Sequence, residues 1–65
     1  MGKIKIIHDP EGVYKDGSIQ DIKDIITSYC DCCNDKSLID YLYRIPIPSA
    51  IAFICDAWSI EYEYV

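Results

Sequence analysis

IEYEYV, residues 60–65, alternates apolar and acidic positions, and KIKII, residues 3–7, begins with basic and apolar ones in the same rhythm. Successive side chains of a β-strand point to opposite faces, so each stretch offers one apolar row and one charged row. Ile60, Tyr62 and Tyr64 make the apolar row of the later stretch, and Ile4 and Ile6 that of the earlier one. Placed side by side with these rows inward, Lys3 and Lys5 share the outer face with Glu61 and Glu63. Opposite charges across neighbouring strands contribute about 0.2–1 kcal/mol per pair, whereas like charges repel. The pattern therefore predicts that the two ends of the chain pair with each other rather than with their own copies.

The sequence between them has helical spacing. From Ile19 the apolar residues fall at 19, 22, 26, 29, 30 and 33, one stripe at 100° per residue, with Gln20, Asp21, Lys23, Asp24, Thr27, Ser28 and Asp31 on the other side. Ser18 precedes it as an N-cap with Asp21 three residues on, so a helix is expected over 19–32, broken by the NDK stretch. Ser37 and Asp40 repeat the cap signal. Leu38, Tyr41, Leu42 and Ile45 share a face, and Asp40 with Arg44 forms an i,i+4 pair. That gives a helix over 37–44, stopped before Pro46.

AIAFICDAW, residues 50–58, is apolar almost all round, and its alanines favour a helix over a buried strand. With Ser49 as its cap, this helix covers 49–57. DPEG, residues 9–12, is a type I turn signal, and VYK, residues 13–15, is a candidate short strand returning along the first. The predicted fold class is α+β: a single domain over 1–65, with a small sheet pairing the terminal strands and three short helices on one face.

Composition limits the function. Domains near 65 residues bury only about 60% of their unfolded surface, but a 51% hydrophobic content suffices for a core. No apolar run reaches bilayer length, and MGKIKIIHDPEG lacks the apolar centre of a secretion signal, so a cytoplasmic setting is expected. The net charge of −5 is the reverse of a nucleic-acid binder's basic footprint. It excludes direct nucleic-acid binding from the expectations. It favours a protein partner with a basic surface, including proteins that themselves hold nucleic acid.

The cysteines cluster in YCDCCND, residues 29–35, with Cys55 as the fourth. Cys30 and Cys33 lie on the apolar stripe and Cys55 in the most apolar segment, which reads as small buried hydrophobes. A zinc site would need a convergent set such as Cys30, Cys33, Cys55 and His8, but C-x-C-C is not a pair of C-x2-C knuckles. A metal- or redox-responsive module using Cys30, Cys32, Cys33 and Cys55 is the alternative function. His8 and Asp9 resemble a base pair for a cysteine nucleophile, yet His-Asp-Pro reads first as a turn capped by Asp9. A domain this small also leaves little room for a pocket of about 300 Å3 or more. No enzyme activity and no cofactor are expected.

What remains is surface. Asp21, Asp24, Ser28 and Asp31 follow one side of the first helix, and Asp35 continues beyond it, a carboxylate row that imitates a phosphate track. Tyr14, Tyr43 and Trp58 are the candidate contact residues, because tyrosine and tryptophan are enriched at binding hot spots. The expected function is a small acidic, non-catalytic protein-binding protein. Its concrete form is an inhibitor or modulator of a nucleic-acid-handling protein, of the kind a phage or mobile element carries. A homodimer would cover surplus apolar surface and any open strand edge. A structural subunit of a larger assembly is a further alternative.

Overall fold

A computed structural model describes residues 2–65. Its centre is strand β1 (Lys3–His8), flanked by β3 (Glu61–Tyr64) on one side and a short β2 (Ile19–Asp21) on the other, all antiparallel. The two ends of the chain do pair. Ile4 faces Tyr64, Lys5 faces Glu63 and Ile6 faces Tyr62. Lys3 lies opposite Asp21 of β2, so both β1 lysines have a carboxylate across the ladder. After Ile6 one extra residue enters β1, and His8 meets Glu61 across this bulge.

The return strand arrives at 19–21, not at 13–15. Ile19 fits the helical stripe by arithmetic, but the free edge of β1 claims the backbone around it. Ile6 N–H donates to Ser18 O (2.8 Å), and Ile22 N–H to Gly2 O (2.8 Å). Tertiary pairing here overrides local periodicity. Helix α1 (Ile22–Cys33) therefore starts three residues later than its spacing predicts, capped by Asp21, whose carboxylate accepts from Lys23 N–H (2.8 Å). Residues 9–18 form an irregular loop around the buried Asp9.

Asn34 ends α1 in the left-handed region (φ 52°), and Asp35 caps α2 (Lys36–Arg44) by accepting from Ser37 and Leu38 N–H. Ile45 is extended, as a residue before proline must be, and α3 (Ile47–Ala57) starts beyond Pro46. Pro48 falls in its first turn, where a missing N–H is harmless, so α3 begins two residues before Ser49. The helices cover one face of the sheet. Ile4 and Ile6 meet Ile22, Ile25, Ile51 and Ile54 in a core that admits no solvent to most of these side chains.

The α3 end has a specific closure. Ser59 N–H donates to Asp56 O (3.2 Å) and Ile60 N–H to Cys55 O (2.7 Å), the paired bonds of a Schellman motif. Ser59 takes φ 56° to make them. A side chain held there costs roughly 1 kcal/mol that glycine avoids. Ser59→Gly is expected to raise the urea midpoint accordingly, and an unchanged or lower midpoint contradicts the left-handed conformation.

Candidate protein-binding surface

Helix α2 contributes one deeply buried side chain, Leu42, and the two-residue connector of Ile45 and Pro46 separates it from α3. A groove of about 390 Å3 remains between α1, α2 and this connector, lined by Lys23, Ile26, Thr27, Leu42, Tyr43, Ile45 and Ile47. That volume lies within the range of small-ligand pockets, more than the little room expected of so small a domain. The floor is aliphatic. Tyr43 (64% exposed) and Ile47 (51% exposed) stand at the lip. Thr27 turns its hydroxyl back to Lys23 O (2.8 Å), so it adds little polarity to the groove.

Charge is arranged beside this groove. Asp24 and Asp31 are three residues before and four after Thr27, so they share its side of α1, one turn either way. Both are exposed, and neither has an ion-pair partner among the described residues. The Tyr43 phenol is pushed above its ordinary pKa, first by Cys30 and less by Asp31. Tyr43 and Asp31 are thus neighbours, and Asp24 lies two turns back along the same side of α1.

The other expected residues go elsewhere. Asp21 and Asp35 are helix caps, and Asp21 also faces Lys3, so the continuous carboxylate row reduces to Asp24 and Asp31. Tyr14 packs on Trp58 (6.1 Å between ring centroids), on the side of α1 that carries Ser28 and Cys32 rather than Tyr43's side. Burial raises the Tyr14 pKa, with Ser28 opposing, and among the described residues its buried hydroxyl has no well-aligned hydrogen-bond partner. From Trp58 the rings continue through Tyr29 (5.0 Å) and Phe53 (6.4 Å) to Tyr41 (6.1 Å). Tyr41, expected on the core face of α2, is 50% exposed and lies over Phe53 instead. Phe53 was invisible as a surface residue because the apolar run around it hides any period.

Cys30 and Cys55 are buried, Cys33 half-buried and Cys32 exposed. Among the described residues no three His, Cys, Asp or Glu side chains converge as metal ligands, so Cys30, Cys33, Cys55 and His8 are not brought together. His8 Nδ1 lies 3.4 Å from Asp16 Oδ2 at the loop, and Asp9 spends its carboxylate on the N–H groups of Glu11, Gly12 and Tyr14. Burial, with Asp9 adding, pushes the Cys55 thiol up to about 11, which keeps it protonated and non-nucleophilic. Tyr29, through its hydrogen bond to Cys33 and then burial, is raised to about 12.

These two groups set an alkaline limit. An acid whose pKa is raised by folding stabilises the fold below its unfolded value, and that contribution is lost as pH climbs through the folded value. For Cys55 the window runs from 9.0 to about 11, and for Tyr29 from 10.0 to about 12. The urea midpoint is expected to fall steadily between pH 9 and 11. A flat profile there contradicts a buried Cys55 thiol.

No helix among the described residues is long and apolar enough to cross a membrane. Compared with known protein families, curated proteins and solved structures, the chain finds no match.

Proposed function

We propose that this chain is a small acidic, non-catalytic protein-binding protein, and that it inhibits or modulates a basic partner that handles nucleic acid. The observation that carries the reading is the apolar groove with Tyr43 and Ile47 at its lip and Asp24 and Asp31 beside it. An aliphatic or aromatic side chain of the partner fills the groove, and the two carboxylates meet basic residues at its rim. The net charge of −5 accelerates the encounter, and tyrosine supplies contact area at low entropic cost.

The division of labour gives a kinetic test. A protein captured from cells by the wild-type chain is purified and its binding measured. Asp24→Lys/Asp31→Lys is expected to lower the association rate by about tenfold and to flatten its salt dependence. Tyr43→Ala is expected to raise the dissociation rate by about tenfold at a lip residue of this exposure. All three sites are exposed, so the urea midpoint stays near wild type. A captured partner that binds the double reversal as it binds wild type removes the groove and its rim as the site.

A further inference from the structure

Strand β3 lies at the edge of the sheet, with one side on β1 and the other free. Val65 N–H donates to Lys3 O, so residue 65 faces β1, and by alternation so does Glu63 opposite Lys5. The N–H and C=O groups of Tyr62 and Tyr64 therefore point away from the sheet. No backbone hydrogen bond among the described residues reaches them from another element. Such an edge is a template for an added strand.

The side chains on this edge restrict what can be added. Glu61 and Glu63 are exposed on the outer sheet face, while Tyr62 and Tyr64 stack edge to face (5.7 Å) on the helix side. A second copy is a poor occupant. Among residues 60–65, two-fold antiparallel pairing through Tyr62 and Tyr64 sets Glu63 against Glu63, or Glu61 against Glu63, in every register longer than three residues. Such like-charge pairs are destabilising. The molecule already contains a segment that fits β3. On the other edge, Lys5 lies opposite Glu63, and Ile4 and Ile6 lie opposite Tyr64 and Tyr62.

We infer that the free edge of β3 accepts an extended partner segment in which Lys or Arg alternates with apolar residues, added antiparallel as a fourth strand. Its basic side chains lie against Glu61 and Glu63, and its apolar ones extend over Tyr64, which is exposed on the helix side. The backbone of Tyr62 and Tyr64 supplies affinity, and the two glutamates select for basic charge. This surface is separate from the α1–α2 groove. The inference rests on the protein-binding reading only for the basic character of the partner.

The probe is a capped seven-residue peptide alternating Lys and Val, titrated into the 15N-labelled full chain, with a Glu/Val peptide as control. The Lys peptide is expected to shift the amides of Tyr62 and Tyr64 and to slow their hydrogen exchange, and the Glu peptide is not. Tyr64→Pro removes an outward N–H that β1 does not use, a change edge strands tolerate. It is expected to weaken the Lys peptide by about tenfold, the scale of one backbone hydrogen bond. N-methylation of the peptide on its β3-facing amides does the same without altering the protein, and keeps the test decisive if the proline variant does not fold. Unchanged Tyr62 and Tyr64 amides, equal binding of the Glu peptide, or full binding of the N-methylated peptide overturns the inference. Tyr43→Ala, which keeps the net charge, leaves this titration unchanged, so failure at the edge and failure at the groove are told apart.

Discussion

Ile54→Ala is expected to remove a large fraction of the protein's folding stability and to lower its urea midpoint accordingly. Ile54 is 0% exposed, on the face of α3 turned toward α1 and the sheet, among side chains that are themselves fully buried. Removing its outer carbons costs their transfer energy plus a cavity, about 2–5 kcal/mol for isoleucine to alanine. The cavity does not close easily, because Ile4 and Ile6 are fixed by strand pairing on both sides of β1. A 65-residue domain holds a total stability of only about 3–10 kcal/mol. One buried side chain is thus a large fraction of the whole. Urea titration followed by far-UV circular dichroism measures it, with Ile54→Val, at about 0.5–1.5 kcal/mol, as the graded control. If alanine shifts the midpoint no more than valine does, Ile54 is not a core residue.

The second large effect is polar. Asp9 is 7% exposed, and its carboxylate holds the loop: Oδ1 accepts from Glu11 (3.0 Å) and Gly12 (3.2 Å), and Oδ2 accepts from Tyr14 (2.5 Å). Its own N–H donates to Asp16 Oδ1 (2.7 Å), which ties both ends of the loop together. Asp9→Ala deprives three part-buried N–H groups of their acceptor. Each orphaned group costs about 1–3 kcal/mol, and because the loop relaxes toward water the sum falls to about 3 kcal/mol. Asp9→Asn keeps one acceptor oxygen and is expected to lose less. Because Tyr14 packs on the single tryptophan, the change is visible locally. Loosening the loop is expected to shift Trp58 emission to the red in folded Asp9→Ala, before any denaturant is added. Unchanged emission with an unchanged urea midpoint means that Asp9 does not organise the loop.

The legible parts of the fold were those fixed by strictly local patterns. Alternating charge in 3–7 and 60–65 gave both strands, their mutual pairing and the Lys5–Glu63 opposition. The α1 stripe from Ile22 onward and the largely apolar α3 were also legible. The errors came where two local patterns compete for the same residues. At 19–21 helical spacing and strand pairing both fit, and only the open edge of β1 decides between them. At both helix starts an aspartate, Asp21 or Asp35, caps instead of the nearby serine, since each helix begins at a position set by its neighbours.

The site was legible in pieces. Asp24, Asp31 and Tyr43 were identified by type and exposure. Their association depends on α2 standing off α1, which no spacing within either helix encodes. Tyr14 and Trp58 were grouped with Tyr43 on composition alone, and they pack on each other rather than lining the groove with Tyr43. The ring sequence from Tyr14 to Tyr41 joins the 9–18 loop, α1, α2 and the end of α3. It is a property of the packing and has no local signature.

Pairing between the first and last strands also orders events during synthesis. Of the elements described, β1 leaves the ribosome first and β3 last. Until β3 clears the exit tunnel, Ile4 and Ile6 lack their partner strand on one side, and the sheet is held only by the three residues of β2. Completion of the sheet therefore waits on the emergence of β3, and until then β1 has a neighbour on its β2 edge alone.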